Sequence, residues 1–254
     1  MAIGLSFMFG VTLPMNFFSP YKATSISDFW RRWHITLSRL LRDLLFIPLG
    51  LSRILRSLVF IPLSGSRKGT AVSVLAVIAT MAIGGLWHGA GWTFVVWGLL
   101  HGFYLAINLL WNAAFPKLKP KFIGRLAGGA LTFLAVTVAW IFFRAPDMKC
   151  AWVLLRAMAG LTTFHEVARL DGGLVLMFPV YAVVVWFLPN VMQLFRAQAP
   201  AIDLGGHLKR NPPGWIERRF AFNGSVPWAV LGAVTFIIAW FAMSNLAPFI
   251  YFQF

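Results

Sequence analysis

The chain has 254 residues, 59% of them hydrophobic and only 11% charged, with a mean hydropathy of +0.77. Its 22 Lys and Arg outnumber 7 Asp and Glu, a formal +15, yet too little polar surface remains for the solvated basic face that nucleic acid requires. Composition thus excludes a nucleic-acid binder and a disordered chain, the single Cys150 excludes a disulfide framework or a CxxC site, and a membrane protein remains.

In chain order, Ile3–Phe18 is apolar but short and interrupted by Pro14, and reads as a partial, tilted or re-entrant segment. From Ser25 to Phe46 the pattern changes in kind. Ser25 and Asp28 have capping-box spacing. Phe29, Trp30, Trp33, Leu37, Leu40, Leu41, Leu44 and Leu45 recur at helical spacing, while Arg31, Arg32, Arg39 and Arg42 fall on the other face. The expectation is one amphipathic, Arg-rich helix lying along a membrane interface. Leu37–Gly50 is then repeated as Leu51–Ser64, with ten matches in 14 positions, a tandem duplication inside an interfacial region over residues 25–64. Pro48 and Pro62 predict two short helix–loop units, each helix ending near the residue before its proline.

A membrane-crossing helix needs about 20 mostly apolar residues. Five stretches meet that need without a single charge: Thr70–Trp87, Ala90–Trp111, Leu126–Phe143, Gly172–Met192 and Val226–Met243. Cys150–Phe164, interrupted by Arg156, reads as a second partial segment, and the aromatic tail Pro248–Phe254 as an interfacial one. The predicted fold is all-α: one polytopic membrane domain over residues 1–254, with about five full spans plus short re-entrant and interfacial helices. Alternation of the spans puts 18 Lys and Arg on one side and 4 on the other. By the positive-inside rule the 18 face the cytoplasm. The first ten residues carry no basic region or cleavage site of a leader, so insertion is expected to rely on the spans.

Searches for a phosphate loop, GxGxxG, HExxH or GxSxG find nothing, and His165 and Asp171 miss HxxxxD spacing by one residue. The strongest candidate is Gly84-Gly85-Leu86-Trp87-His88-Gly89-Ala90-Gly91-Trp92, an imidazole in a glycine-rich break between two spans. Ionisable groups at membrane depth are costly and mark function by default. A neutral His88 can take a proton from a hydroxyl nucleophile, or it can simply tie down the turn. His34 closes Phe29-Trp30-Arg31-Arg32-Trp33-His34, as a second histidine of one site or as an interfacial residue among tryptophans. His101 and Asn108 lie mid-span and suit helix–helix hydrogen bonding, and His207 sits in a polar loop. No metal site is expected.

Taken together, Phe29–His34, Phe46-Ile47-Pro48-Leu49-Gly50, Arg67-Lys68-Gly69, Gly84–Ala90 and Trp140-Ile141-Phe142-Phe143-Arg144-Ala145 resemble the membrane-bound O-acyltransferase family. The terminal Pro248–Phe254 adds to the likeness, and the bacterial branch that O-acetylates alginate and other exported polysaccharides is the nearest. The resemblance implies a multi-span enzyme of the bacterial inner membrane. It would move an acyl group from a cytoplasmic thioester donor, acetyl-CoA or an acyl carrier, to a hydroxyl of an exported polysaccharide or a periplasmic relay protein. No bound cofactor is implied. By motif His88 matches the family's active-site histidine and His34 its second histidine, with Arg31, Arg32, Trp33 and Trp87 as donor- or substrate-binding residues. Family members are nearly twice this length, and Met1–Leu5 resembles an internal stretch of theirs, so the chain reads as a C-terminal half. Leu51–Ser64 reads as an insertion relative to the family. Competing readings are D-alanyl transfer to an envelope polymer and an inactive membrane scaffold. A transporter is disfavoured because no acidic residue lies in a span to couple an ion.

Overall fold

The structure, a computed structural model, describes residues 2–51, 68–118, 120–161, 172–196 and 213–242. Most of the second copy of the repeat, His165, Asp171, His207 and the tail 248–254 lie outside the described residues. Among the described residues all regular structure is helical. The helices are α1 (Ala2–Met8), α2 (Ile26–Trp30), α3 (Ile35–Leu41), α4 (Ile47–Leu51), α5 (Lys68–His88) and α6 (Trp92–Ala114). They continue with α7 (Phe122–Arg144), α8 (Met148–Met158), α9 (Gly172–Phe187), α10 (Val191–Leu194), α11 (Trp215–Arg219) and α12 (Val226–Ala242). Backbone packing divides the chain into two compact units, Asn16–Phe187 and Met1–Met15 with Leu188–Phe254.

Among the described residues three helices are long and apolar enough to cross a membrane: α5 over Ala71–His88, α6, and α7. Of the other two expected spans, the described residues form α9 over Gly172–Phe187 and α12 over Val226–Ala242, each bordering residues outside those described. The stretch 172–192 is cut at Phe187 because Pro189 disfavours helical backbone in the residue before it. Asn190 then starts α10 with a reciprocal capping box to Gln193. Against the expectation of about five full spans, the described residues contain three helices of spanning length and two further apolar helices.

In the Asn16–Phe187 unit, α5 and α6 form a close hairpin whose contact is built from glycines. A Cβ on Gly85 would run into the carbonyl of Phe94, and one on Gly98 into the carbonyl of Met81. A Cβ on Gly102 would press on the backbone of Ile78. Small residues let apolar helices approach where lipid offers no hydrophobic driving force between them. Val136 and Ala139 of α7 close the packing against Met81 and Trp97, and Phe29 and Trp30 of α2 enter the same buried cluster.

The predicted amphipathic helix over 25–46 is broken. Ser25 caps α2 by accepting the N–H of Asp28, but the Asp28 carboxylate reaches the N–H of Thr24 at 3.4 Å, so the capping box is half formed. α2 ends at Trp30, and His34 adopts a left-handed backbone, φ +41°, before α3 begins. The extended segment 16–18 takes up the freed main-chain groups. Phe18 N–H donates to the Arg32 carbonyl and Ile35 N–H to the Asn16 carbonyl, both at 2.9 Å. Helical periodicity carries through such a break because the same apolar face is buried on both sides of it.

The helix also does not stop before Pro48. Residues 42–46 form a π turn, with the Ile47 N–H reaching back to the Arg42 carbonyl, and α4 continues through Pro48. The wider turn displaces the carbonyl that a proline ring would otherwise strike. Within the expected partial segment Cys150–Phe164 the described residues include most of α8, a short amphipathic helix capped by Asp147 on the Cys150 N–H at 2.7 Å.

The unit formed by residues 1–15 and 188–254 holds α1, α10, α11 and α12. Its polar centre joins α10 to α11: the Gln193 amide donates to Glu217, and Arg196 lies 3.9 Å from the same carboxylate. Phe195 stacks on Phe222 at 4.6 Å, and Trp228 packs edge-on to Phe222.

Candidate functional site

His88 is the last residue of α5, and Gly89–Gly91 turn the chain into α6. The half-buried imidazole packs edge-on against Trp87 at 4.9 Å, Trp97 at 5.2 Å and Phe143 at 5.2 Å. The three spanning-length helices therefore meet at this ring, α5 supplying the histidine, α6 Trp97 and α7 Phe143. Gly89 leaves room for the Phe94 ring, which a Cβ there would strike.

His34 lies at the α2–α3 break, where its ring faces Phe17 at 6.0 Å. Its neighbour Trp33 lies edge-on to Trp140 at 5.0 Å, Trp140 to Phe143 at 5.3 Å, and Phe143 to His88. Outside the spans, burial pushes the His34 imidazole below its ordinary value, partly offset by its own main chain. Its Nδ1 meets no hydrogen-bond partner among the described residues beyond that main chain. A left-handed backbone at a non-glycine residue costs on the order of 1–3 kcal/mol and persists only where the surroundings over-determine it. Here Asn16 does so. Its carbonyl takes the Ile35 N–H, and its side-chain oxygen takes both the Thr36 N–H at 3.1 Å and the Thr36 hydroxyl at 2.9 Å.

The arginines are arranged unequally. Arg32 pairs with Asp28 at 3.0 Å. Arg31 is exposed, with only its Nε tied back to the Ser27 carbonyl at 3.1 Å. Its terminal guanidinium nitrogens can therefore face an anion. Trp87 is 61% exposed, whereas Trp33 is half-buried between Phe29 and Trp140. Among the described residues no group of three His, Cys, Asp or Glu side chains converges to hold a metal ion.

His101 is fully buried in α6 and accepts a hydrogen bond at Nδ1 from the Trp30 indole N–H at 3.3 Å. Accepting at Nδ1 places the ring's proton on Nε2, which has no partner among the described residues. One rung further along, the Ser27 hydroxyl donates to the Asn108 side-chain oxygen. Helix–helix hydrogen bonding was the expectation for His101 and Asn108, and both make it, to α2. Asn16 and Trp97 were not found by sequence reasoning. Asn16 sits in a segment with no period, and Trp97 is one of 12 tryptophans.

With the geometry in place, comparison with known proteins is informative. Residues 50–146 match the family model described as MBOAT, the membrane-bound O-acyltransferase family. The chain is 44% identical over 164 residues to a peptidoglycan O-acetyltransferase of Helicobacter pylori, covering 63% of the chain and 28% of that protein. It is 34% identical to a probable alginate O-acetylase of Pseudomonas fluorescens over 100% of the chain and 53% of that protein. A teichoic acid D-alanyltransferase of Streptococcus thermophilus is 34% identical over 110 residues, 43% of the chain and 25% of that protein. The chain spans at most about half the length of these relatives.

Proposed function

We propose that the chain is a member of the membrane-bound O-acyltransferase family and the histidine-bearing part of an O-acyltransferase, in first place an O-acetyltransferase. It would carry an acyl group from a thioester donor, acetyl-CoA or an acyl carrier, to a hydroxyl of an exported polysaccharide or a relay partner protein. The observation that carries this reading is the convergence of three spanning-length helices at the His88 ring, with Trp33, the neighbour of His34, joined to the same aromatic cluster through Trp140 and Phe143.

In this reading the acceptor hydroxyl oxygen forms a bond to the acyl carbonyl carbon as its proton passes to the His88 imidazole. The tetrahedral centre collapses, the carbon–sulfur bond breaks, and the leaving thiolate takes the proton back from the His88 imidazolium to become a free thiol. General base catalysis of this kind contributes typically 10²–10⁴ in rate. Exclusion of water by Trp97 and Phe143 would protect the thioester from hydrolysis. His34 assists from the donor side. Arg31, exposed at the end of α2, binds donor phosphates, Arg32 supports the segment through Asp28, and Trp33 and Trp87 flank the acyl path. The 18-to-4 asymmetry of basic residues orients α5–α7, with α9 and α12 as the remaining crossings, in a bacterial inner membrane.

The same geometry serves D-alanyl transfer, so the test offers both donors. Full-length protein in reconstituted membranes should move radiolabelled acetyl from an acetyl thioester to polymer or relay protein faster than D-alanyl from its carrier. A protein that transfers neither would overturn the reading, and preferential D-alanyl transfer would replace the acetyl assignment.

A further inference from the structure

We infer that His101 is a positioning residue: with Asn108 it forms a two-point polar latch that docks the His34 segment onto the α5–α6 hairpin beside His88. This inference rests on the acyl-transfer reading for its kinetic consequence, but its geometry stands apart.

The latch has two rungs. Ser27 of α2 donates to Asn108, and Trp30, one turn later on α2, donates to His101, two turns earlier on α6. As the chain advances through α2 it therefore moves along α6 toward the α6 N-terminus, the end adjoining Gly89–Gly91 and His88. That sense of travel delivers Arg31–His34 to the His88 ring rather than away from it. A register slip of one turn would leave the indole N–H and the histidine nitrogen unpaired in a buried site, so the hydrogen bonds select one docking position.

The rungs are also built into the packing around His88. The His101 ring lies 5.0 Å from Trp97, edge-on, and stacks on Phe29 at 6.2 Å. Trp97 in turn touches His88, and Phe29 stacks on Trp33, the residue before His34. One buried imidazole thus contacts Trp97, which touches His88, and Phe29, which stacks on the neighbour of His34. His101 meets Trp97 and Asn108 meets Ser27, so their effect on chemistry is through placement.

The test uses full-length protein in reconstituted membranes with Trp30→Phe, His101→Phe, the double variant, and His101→Asn, which restores an acceptor near the Nδ1 position. Each single Phe variant should lower kcat at least tenfold while KM for the thioester donor stays within twofold. The double variant should be no worse than the poorer single, and His101→Asn should recover at least threefold over His101→Phe. Multiplicative losses in the double variant, or wild-type kcat in either single, would overturn the latch. An activity-independent arm places Ser27→Cys and Asn108→Cys in the same protein and measures disulfide formation on mild oxidation. The pair should crosslink with Trp30 and His101 intact, and yield should fall at least threefold in the His101→Phe background. Unchanged yield contradicts the latch. If wild-type protein transfers no acyl group, the functional reading fails while the crosslink still decides the inference.

Discussion

Asn16 grips the backbone on the far side of His34: its carbonyl accepts the Ile35 N–H at 2.9 Å and its side-chain oxygen accepts twice from Thr36. These three bonds surround a histidine held at φ +41°. Replacing Asn16 with Ala leaves the Thr36 N–H and hydroxyl without their partner, at a cost of about 1–3 kcal/mol. Thermal unfolding in detergent should show the loss, and acyl transfer should fall further than stability alone explains. A variant with unchanged melting and unchanged transfer would contradict the role assigned to Asn16.

His34 should leave a signature in the pH dependence of stability. Burial holds its folded value below the ordinary 6.5, so between the two values the unfolded chain binds more protons than the folded one. The neutral form costs nothing above about 6.5, and stability falls as pH drops through that window. His34→Gln removes the group. The variant should therefore lose less stability than wild type between pH 8 and pH 5, read as the difference in Tm. Parallel Tm profiles would show that His34 titrates as an ordinary exposed histidine.

The α5–α6 hairpin depends on the absence of a side chain at Gly98. Its Cβ would meet the Met81 carbonyl, a backbone atom that cannot swing away. Gly98→Ala should cost about 1–3 kcal/mol through overpacking. Gly232 of α12 is the control, because a Cβ there meets nothing within 4 Å. Gly232→Ala should stabilise slightly, by about 0.5–1 kcal/mol, through helix propensity. Equal effects of the two substitutions on folded yield and Tm would refute the packing argument.

Much of this arrangement was legible in the sequence, and the reasons differ by element. The cores of α5, α6 and α7 were readable because uninterrupted apolar runs have few alternatives in lipid. Ser25 announced the α2 cap because capping depends on adjacent residues alone. The break at His34 was not readable. Its cause is Asn16, at a distance along the chain that no local pattern encodes. The π turn before Pro48 escaped for a related reason: a proline predicts an end, but a widened turn can accommodate it. The histidine motifs singled out His88 and His34, while the rings that join them, Trp97, Trp140 and Phe143, come from helices whose mutual placement periodicity does not set.

The central claim is that His88 accepts the proton in acyl transfer. The most direct measurement compares transfer of radiolabelled acetyl from an acetyl thioester by full-length wild type and His88→Ala in reconstituted membranes, at matched amounts of folded protein. The account predicts a loss of at least about 10²-fold in kcat. Transfer by His88→Ala at the wild-type rate would contradict it.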